Sequence, residues 1–530
     1  MNNMRASTWS AEAWRRFSPL LASFVVMVAW FWLLALFFPL RPGRDMTTYF
    51  LWFRDLFAIE PEFPLLMLFR TPLTPIFYGT CFQIFGEGGI EVILSLAYAA
   101  SITAVFAVLR EFSLVLAWAL NVLVALNLWL FWSFNSIGSE TLQTVLLCFW
   151  FSCTFFAMGS SRLGAWVGSA VLASLLVLNR PGNQTFLLCF LLPFLPANVA
   201  VARRFLNAGV FLTIYAVAYL AMCSFNYFRY GEFCFAKLGD AHLPFYRLFV
   251  QERVISPENG PASRQLADFV EAKILPTPVY VQHEITSDIF FRCSTQRMFN
   301  SLIYAVQKEA RGYDFDLLRR AGMESIWRDP GGSLLRYLEH LETVFDYRDK
   351  KTFKISNLRD LSRSFVRQRE EVYARYAAKG LALPSEGDLL PSTPLFVANE
   401  TRKQGSWLPW QPDVKPWTVS ATPPYNAPGD LLFNISRKLI PNYCWFLFGA
   451  FGLLLARLAG PVDLRIPLLT GIALLGLLAT LFGSVQWEFR YPFDPIFTAF
   501  ALHPAHVLLA WLRKFLVARA PRREWRSAGP

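Results

Sequence analysis

The ionisable residues of this chain are unevenly placed, and their positions narrow the chemistry they can do. Long apolar runs are nearly free of charge, while Arg44, Asp45, Arg54, Asp55, Glu60, Glu62, Arg70, Glu140, Arg180, Glu488, Arg490 and Asp494 fall where such runs begin or end. A charge at the bilayer centre costs at least about 2.5–3.5 kcal/mol. A substrate site made from these residues therefore belongs at a membrane boundary. Carboxylates and guanidiniums gathered there suit a molecule whose tail lies in lipid and whose charged head lies at the surface. A transporter more often places some charges at mid-membrane, between broken helices.

The elements that must position these residues are apolar helices. The chain has 530 residues, 55% of them hydrophobic, with Phe alone occurring 51 times and a mean hydropathy of +0.35. A spanning helix needs about 20 apolar residues, at ~1.5 Å rise each, to cross a core of roughly 30 Å. The expected fold is an α-helical polytopic membrane protein of about ten spans: Phe17–Pro39, Gly89–Leu109, Phe112–Ser133, Thr141–Met158, Gly164–Leu178, Phe186–Val201, Phe205–Cys223, Tyr443–Leu458, Ile466–Phe482 and Pro495–Leu512. The net charge of +12 does not point to nucleic acid, because the basic residues sit in short clusters beside apolar runs: Arg15 and Arg16, Arg110, Arg162, Arg203 and Arg204, Arg457 and Arg465, and the tail from Arg513 to Arg526. That is the pattern of cytoplasmic loops under the positive-inside rule. It places both termini in the cytoplasm and the boundary acids outside, with an outer turn at Asn179–Arg180–Pro181–Gly182. The first span reads as an uncleaved signal anchor, since no small-x-small site follows it.

Four regions follow: a transmembrane module at 1–224 with its first outer loop at 41–88, an extracytoplasmic insert at 225–442, a second transmembrane module at 443–512, and a basic tail at 513–530. The insert is expected to be a mainly helical domain between the seventh and eighth spans. Leu334, Leu335, Leu338, Leu341, Val344 and Phe345 form a stripe at helical spacing, Leu358, Leu361 and Phe365 a second, and Ala262 to Ile274 a third helix. From 381 to 429 prolines recur between Trp407, Trp410, Trp417 and Tyr425, which disfavours regular structure. It reads as an irregular loop packed on the domain or the membrane interface, or as a lid over an acceptor or lipid. Cys148, Cys153 and Cys189 read as apolar packing residues. Cys234 and Cys293 could pair if their compartment is oxidising. With five His and no CxxC spacing, a zinc site is not expected. Asp314–Phe315–Asp316 has the DxD pattern but begins a helix, where acids are favoured anyway.

Gly43–Arg44–Asp45–Met46–Thr47–Thr48–Tyr49 directly follows the first span, then Arg70–Thr71–Pro72–Leu73–Thr74–Pro75, then Asn179–Arg180–Pro181 at the end of a later span. Gln486–Trp487–Glu488–Phe489–Arg490–Tyr491–Pro492–Phe493–Asp494–Pro495 opens the last span. In order, topology and sidedness this resembles the GT-C glycosyltransferases. Within them it is most similar to bacterial relatives of the protein mannosyltransferases and of the aminoarabinose transferase of lipid A. The resemblance covers the spans and the first outer loop. It implies transfer of a sugar from a polyprenyl-phosphate donor to an extracytoplasmic glycan, lipid or protein, at the bacterial inner membrane. It further implies Asp45 as the base, Glu140 as a second acid that orients the acceptor, and Arg44, Arg70, Arg180 and Arg490 as ligands of the donor phosphate. Tyr49 and Glu488 are expected to contact substrate. A hydroxyl must lose its proton as it attacks the anomeric carbon, which a carboxylate can accept, and cationic forks stabilise the departing phosphate.

The chain departs from the family where several relatives carry a second acid after the loop aspartate; here that position is Met46, which leaves metal use and acceptor type open. No cofactor is implied, and the sequence indicates no divalent metal. The WWDYG signature of oligosaccharyltransferases is absent, and the insert is not the sugar-binding repeat domain of the eukaryotic mannosyltransferases. Each site residue also has a plainer reading: Asp45 and Arg44 as an exposed pair, Glu140 as a helix-start acid, Arg180 and Arg490 as boundary anchors. Two other functions fit the composition, a transporter or flippase for a lipid-linked glycan, and a non-catalytic membrane scaffold.

Overall fold

In a computed structural model, residues 2–38, 40–42, 45–58, 64–160, 162–196, 199–277, 280–281, 285–292, 294, 296–309, 315–345, 436 and 443–519 are described. The apolar runs form helices because only there can the backbone satisfy its own hydrogen bonds in lipid. The first are α1 (Asn2–Ala35), α2 (Met46–Leu56), α3 (Pro64–Phe69), α4 (Leu73–Arg110), α5 (Leu114–Ala125), α6 (Leu128–Phe134), α7 (Ser139–Met158) and α8 (Leu163–Asn179). A 3₁₀ helix, Pro181–Phe194, leads to α9 (Val201–Tyr230). Then come α10 (Leu238–His242), α11 (Pro261–Lys273), α12 (Ser287–Arg292), α13 (Gln296–Glu309), α14 (Asp316–Arg328) and α15 (Pro330–Phe345). The chain closes with α16 (Tyr443–Ala459), α17 (Arg465–Gly483), α18 (Asp494–Leu502) and α19 (Ala505–Arg519).

The expected count of about ten spans is corrected. Among the described residues, six helical segments are long and apolar enough to cross a membrane: Phe17–Ala35, Gly88–Arg110, Ser139–Met158, Val201–Tyr230, Arg465–Gly483 and Tyr491–Leu512. A seventh is reached only if α5 and α6, bent by 67°, are one span. The reasons are local. The run at Phe112–Ser133 breaks at Asn127, whose side chain caps α6 by accepting from the Leu130 amide at 3.1 Å. The run at Phe186–Val201 contains Pro193 and Pro196 and forms no α-helix; the 3₁₀ helix covers Pro181–Phe194 instead. Leu163–Asn179 and Tyr443–Ala459 have 17 residues each and fall short of the length.

The expected separate domain between a seventh and an eighth span is also corrected. Helices form at Pro261–Lys273 and Pro330–Phe345 as their spacing predicts, and α10 to α14 enclose an apolar cluster around Phe245, Phe249, Leu266, Phe290, Leu302 and Leu318. That cluster also takes in Phe69 of α3, while Val344 of α15 belongs to the core of the spans and Tyr337, Leu341 and Phe345 pack against it. Polar ties cross the same seam. Lys237 donates its amide to the Leu68 carbonyl at 2.8 Å. The Gln251 side chain and the Val485 backbone exchange hydrogen bonds at 3.0 and 3.1 Å. These helices form a layer continuous with the bundle, because apolar side chains and hydrogen bonds join the two across the seam. The second leucine stripe, the Pro-rich segment 381–429, Asp314 and Cys293 lie outside the described residues, so the Cys234–Cys293 pairing is not addressed. Asp316 is ion-paired with Arg319 and with Arg320, a helix-start acid in its ordinary use. Cys148 and Cys189 are buried in the bundle core and Cys153 is half-buried.

Candidate functional site

Four chain segments carry the predicted charges, and hydrogen bonds draw three of them, those with Asp45 and Arg70, Glu140 and Arg180, together at one end of the bundle. The first join is a two-residue parallel pairing of β1 (Arg41–Pro42) with β2 (Ser136–Ile137), Arg41 opposite Ser136. It sets the chain leading to Asp45 beside the chain leading to Glu140. Tyr78 fixes the far strand by donating to the Ser136 carbonyl at 3.1 Å.

The second join is Asn179, the last residue of α8. Its carbonyl accepts from the Thr71 hydroxyl at 2.8 Å, and its side-chain oxygen accepts from the Thr74 hydroxyl at 2.6 Å. Its side-chain nitrogen donates to the Ser139 carbonyl at 3.2 Å and to Gln143 Oε1 at 3.0 Å. Gln143 and Asn183 complete a reciprocal amide pair at 2.9 and 2.7 Å. All five of these side chains, Thr71, Thr74, Gln143, Asn179 and Asn183, are buried. Buried polar groups of this kind are costly unless paired, so the network fixes one arrangement. Its consequence is positional. Arg70, Glu140 and Arg180 are each the sequence neighbour of a residue in it: Thr71, Ser139 and Asn179.

The charged side chains meet in front of that network. Arg70 Nη2 lies 2.9 Å from Asp45 Oδ1, with the two side chains 22% and 38% exposed. Arg180 is ion-paired with Glu140, and its Nε and Nη2 donate to Ser139 Oγ at 2.9 and 2.7 Å. A side chain on Gly138 would meet Glu140 Oε2 at 2.6 Å, so glycine there lets the carboxylate turn towards Arg180. Arg180 also lies over the Phe489 ring, 4.8 Å from its centre. Tyr49 stands between the two pairs: Arg70 lies 5.4 Å from its ring centre, and Ser139 hydrogen-bonds its hydroxyl. Burial pushes the Tyr49 hydroxyl up to about 12; Arg70 and the Ser139 bond oppose this, while Asp45 and Glu140 reinforce it. Tyr49 therefore stays protonated and can donate. Burial works against the Arg70 charge, but Asp45, Tyr49 and Glu140 outweigh it and hold Arg70 above its ordinary value.

Asp45, Tyr49, Arg70, Glu140 and Arg180 are thus brought into one cluster. Arg490 is placed differently. It is fully buried, with Nε 3.2 Å from Asp494 Oδ1 and Nη1 donating to the Val344 carbonyl at 3.4 Å. Asn127 donates to the other Asp494 oxygen at 2.8 Å. The Arg490–Asp494 pair thereby locks the helix break at Asn127 to the start of the last span. Glu488, half-buried, lies in the short 3₁₀ turn Trp487–Phe489 next to the ring that carries Arg180. Arg44 lies outside the described residues. Sequence reasoning missed Ser139, Phe489 and the Asn179 network. The available signal was the set of amides and hydroxyls inside otherwise apolar runs.

Set against known proteins, the chain matches no family model, no curated protein and no solved structure. Its own helices define its class: it is a multi-pass membrane protein.

Proposed function

We propose that the chain is a GT-C-type glycosyltransferase that moves a sugar from a polyprenyl-phosphate carrier to an acceptor hydroxyl or amine outside the cytoplasm. The observation that carries this reading is the meeting of two acid–arginine pairs, Asp45–Arg70 and Glu140–Arg180, around a protonated tyrosine at the end of a membrane bundle. Paired cations suit a phosphodiester head, and a boundary position suits a head whose tail stays in lipid.

In this reading the acceptor oxygen or nitrogen attacks the anomeric carbon as the bond from that carbon to the phosphate oxygen breaks. The acceptor proton passes to Asp45, and the polyprenyl phosphate leaves as the anion. A single displacement needs the base and the leaving group on opposite faces of the sugar, and it inverts the anomeric configuration. Asp45, held by Arg70, takes one side. Arg180, held by Ser139, Glu140 and Phe489, takes the phosphate on the other. Glu140 orients the acceptor, Tyr49 donates a hydrogen bond to substrate, and Glu488 contacts the sugar. Arg490 supports this layer from below through Asp494. The basic clusters favour cytoplasmic termini and a site facing the periplasm or exterior, and the resemblance to bacterial GT-C enzymes is what points to a bacterial inner membrane.

The test is release of free polyprenyl phosphate from a panel of labelled polyprenyl-phosphate sugars, by wild type and by Asp45→Asn in nanodiscs. Release by wild type and its loss in a folded variant is expected. Equal release by both removes Asp45 as the base. Movement of labelled lipid across vesicles without any transfer would replace the reading with transport.

A further inference from the structure

Outside the spans, α15 combines a core-packed side with a run of exposed leucines. Its inner side joins the bundle. Tyr337, Leu341 and Phe345 pack on the core of the spans, and Val344 is part of that core. The Tyr337 hydroxyl donates to the Leu478 carbonyl of α17 at 3.1 Å, and its ring meets Phe482 edge-on at 6.0 Å. Leu478 lies five residues before the end of α17, about 7 Å along its axis. The tip of Tyr337 therefore reaches into the apolar zone of a spanning helix. On its outer side α15 leaves Leu334, Leu335 and Leu338 exposed at 57%, 62% and 50%. The neighbouring surface of α17 is exposed too, through Leu475 and Phe482. α15 and α17 touch at the Tyr337–Phe482 contact, where the Arg247 guanidinium lies over both rings, 4.7 and 5.0 Å from their centres. Arg336, on the opposite side of α15, is held by Glu252 and Asp329, while the exposed Glu339 and Glu342 follow one turn beyond Leu335 and Leu338, where the leucine face ends.

We propose that α15 is a membrane-surface helix whose leucines, Leu334, Leu335 and Leu338, sit among the acyl chains of the bilayer beside α17. Continuity with the lipid-facing surface of a span identifies the occupant as lipid. A helix that seats apolar side chains about 5–10 Å into the headgroup boundary, with its charges towards the water, is the form such contacts take; here the exposed acids lie at the end of α15 beyond Leu338. The position has a consequence for the site. The Val344 carbonyl of α15 accepts from Arg490, and the turn before Arg490 carries Phe489 under Arg180. The helix thus flanks the sideways approach from lipid to the charged cluster. This inference stands whether or not the cluster transfers sugar.

The experiment places p-benzoylphenylalanine at Leu338, and separately at Leu335, in the full chain in nanodiscs of a single phospholipid. Leu475 serves as the span control, and Glu271, exposed on α11, as the aqueous control. After illumination, mass spectrometry should find phospholipid adducts at Leu338, Leu335 and Leu475 and none at Glu271. Adducts to protein at Leu338 and Leu335, whether to this chain or a second copy, overturn the proposal. So does the absence of lipid adducts there in monodisperse protein whose Leu475 variant is labelled.

Discussion

Replacing Asn179 by leucine should loosen the site more than it unfolds the protein. The substitution keeps most of the volume but removes three side-chain hydrogen bonds: from the Thr74 hydroxyl, to the Ser139 carbonyl and to Gln143. Side-chain hydrogen bonds between membrane helices average about 0.6 kcal/mol each, with a maximum near 1.7. Three of them give a loss of about 2 kcal/mol, with an upper bound of roughly 5. The larger effect falls on geometry, because the lost bonds tie together the segments carrying Arg70, Glu140 and Arg180. A misplacement of about 1 Å can cost on the order of 10²-fold in rate, so transfer, or binding of polyprenyl phosphate, should fall by at least tenfold. The assay is a double-mutant cycle of Asn179→Leu with Thr74→Val, reading unfolding in detergent and binding of the carrier phosphate in nanodiscs. The pair should show a coupling of about 0.6 kcal/mol or more. Strict additivity in stability, together with wild-type binding in Asn179→Leu, would refute the claim that this network positions the charges.

Glu140→Gln should weaken the site and the fold together: Arg180 keeps Ser139 and Phe489 but loses its countercharge, and a hydrogen bond to a charged group is worth about 1.5–3 kcal/mol; unchanged phosphate-lipid binding and stability would argue that the pair is incidental. Asp494→Ala should be far more damaging, about 3–5 kcal/mol, because Arg490 would stay buried beside an empty position; recovery of monodisperse protein at wild-type yield would contradict this. Tyr49→Phe should lower transfer at every pH without moving the alkaline limb, since the hydroxyl titrates only near 12; a shifted alkaline limb would mean that Tyr49 ionises in the working range. Acid stability should depend on Glu324. Burial opposes its charge, but the Ala262 and Ser263 amides and the Ser263 hydroxyl outweigh this and hold the carboxyl below its ordinary 4.5. A depressed folded value gives stability that is present above pH 4.5 and lost as pH falls through the lower folded value. Glu324→Gln should flatten that part of the stability curve, measured by unfolding at pH 7 and below pH 4.

The sequence by itself determined the membrane class, since apolar runs of near-spanning length have no other stable home, and it determined which charges lie at the ends of those runs. It also determined α11 and α15, whose apolar residues recur at helical spacing. It did not determine how many runs cross. Asn127, Pro193 and Pro196 interrupt helices that hydropathy averages over, and whether a break ends a span depends on what caps the freed backbone groups. Nor did it separate Arg490 from Arg180, because both are arginines at a boundary. Only the fold turned one into the bundle onto Asp494 and the other onto Ser139, Glu140 and Phe489 at the cluster. The grouping of Asp45, Tyr49, Arg70, Glu140 and Arg180 was expected from order and sidedness. The Asn179 network that accomplishes it was not, because its hydrogen bonds join residues 36 to 108 positions apart. Pairings across such distances are settled by which helices lie side by side, and that is decided by packing of the whole bundle.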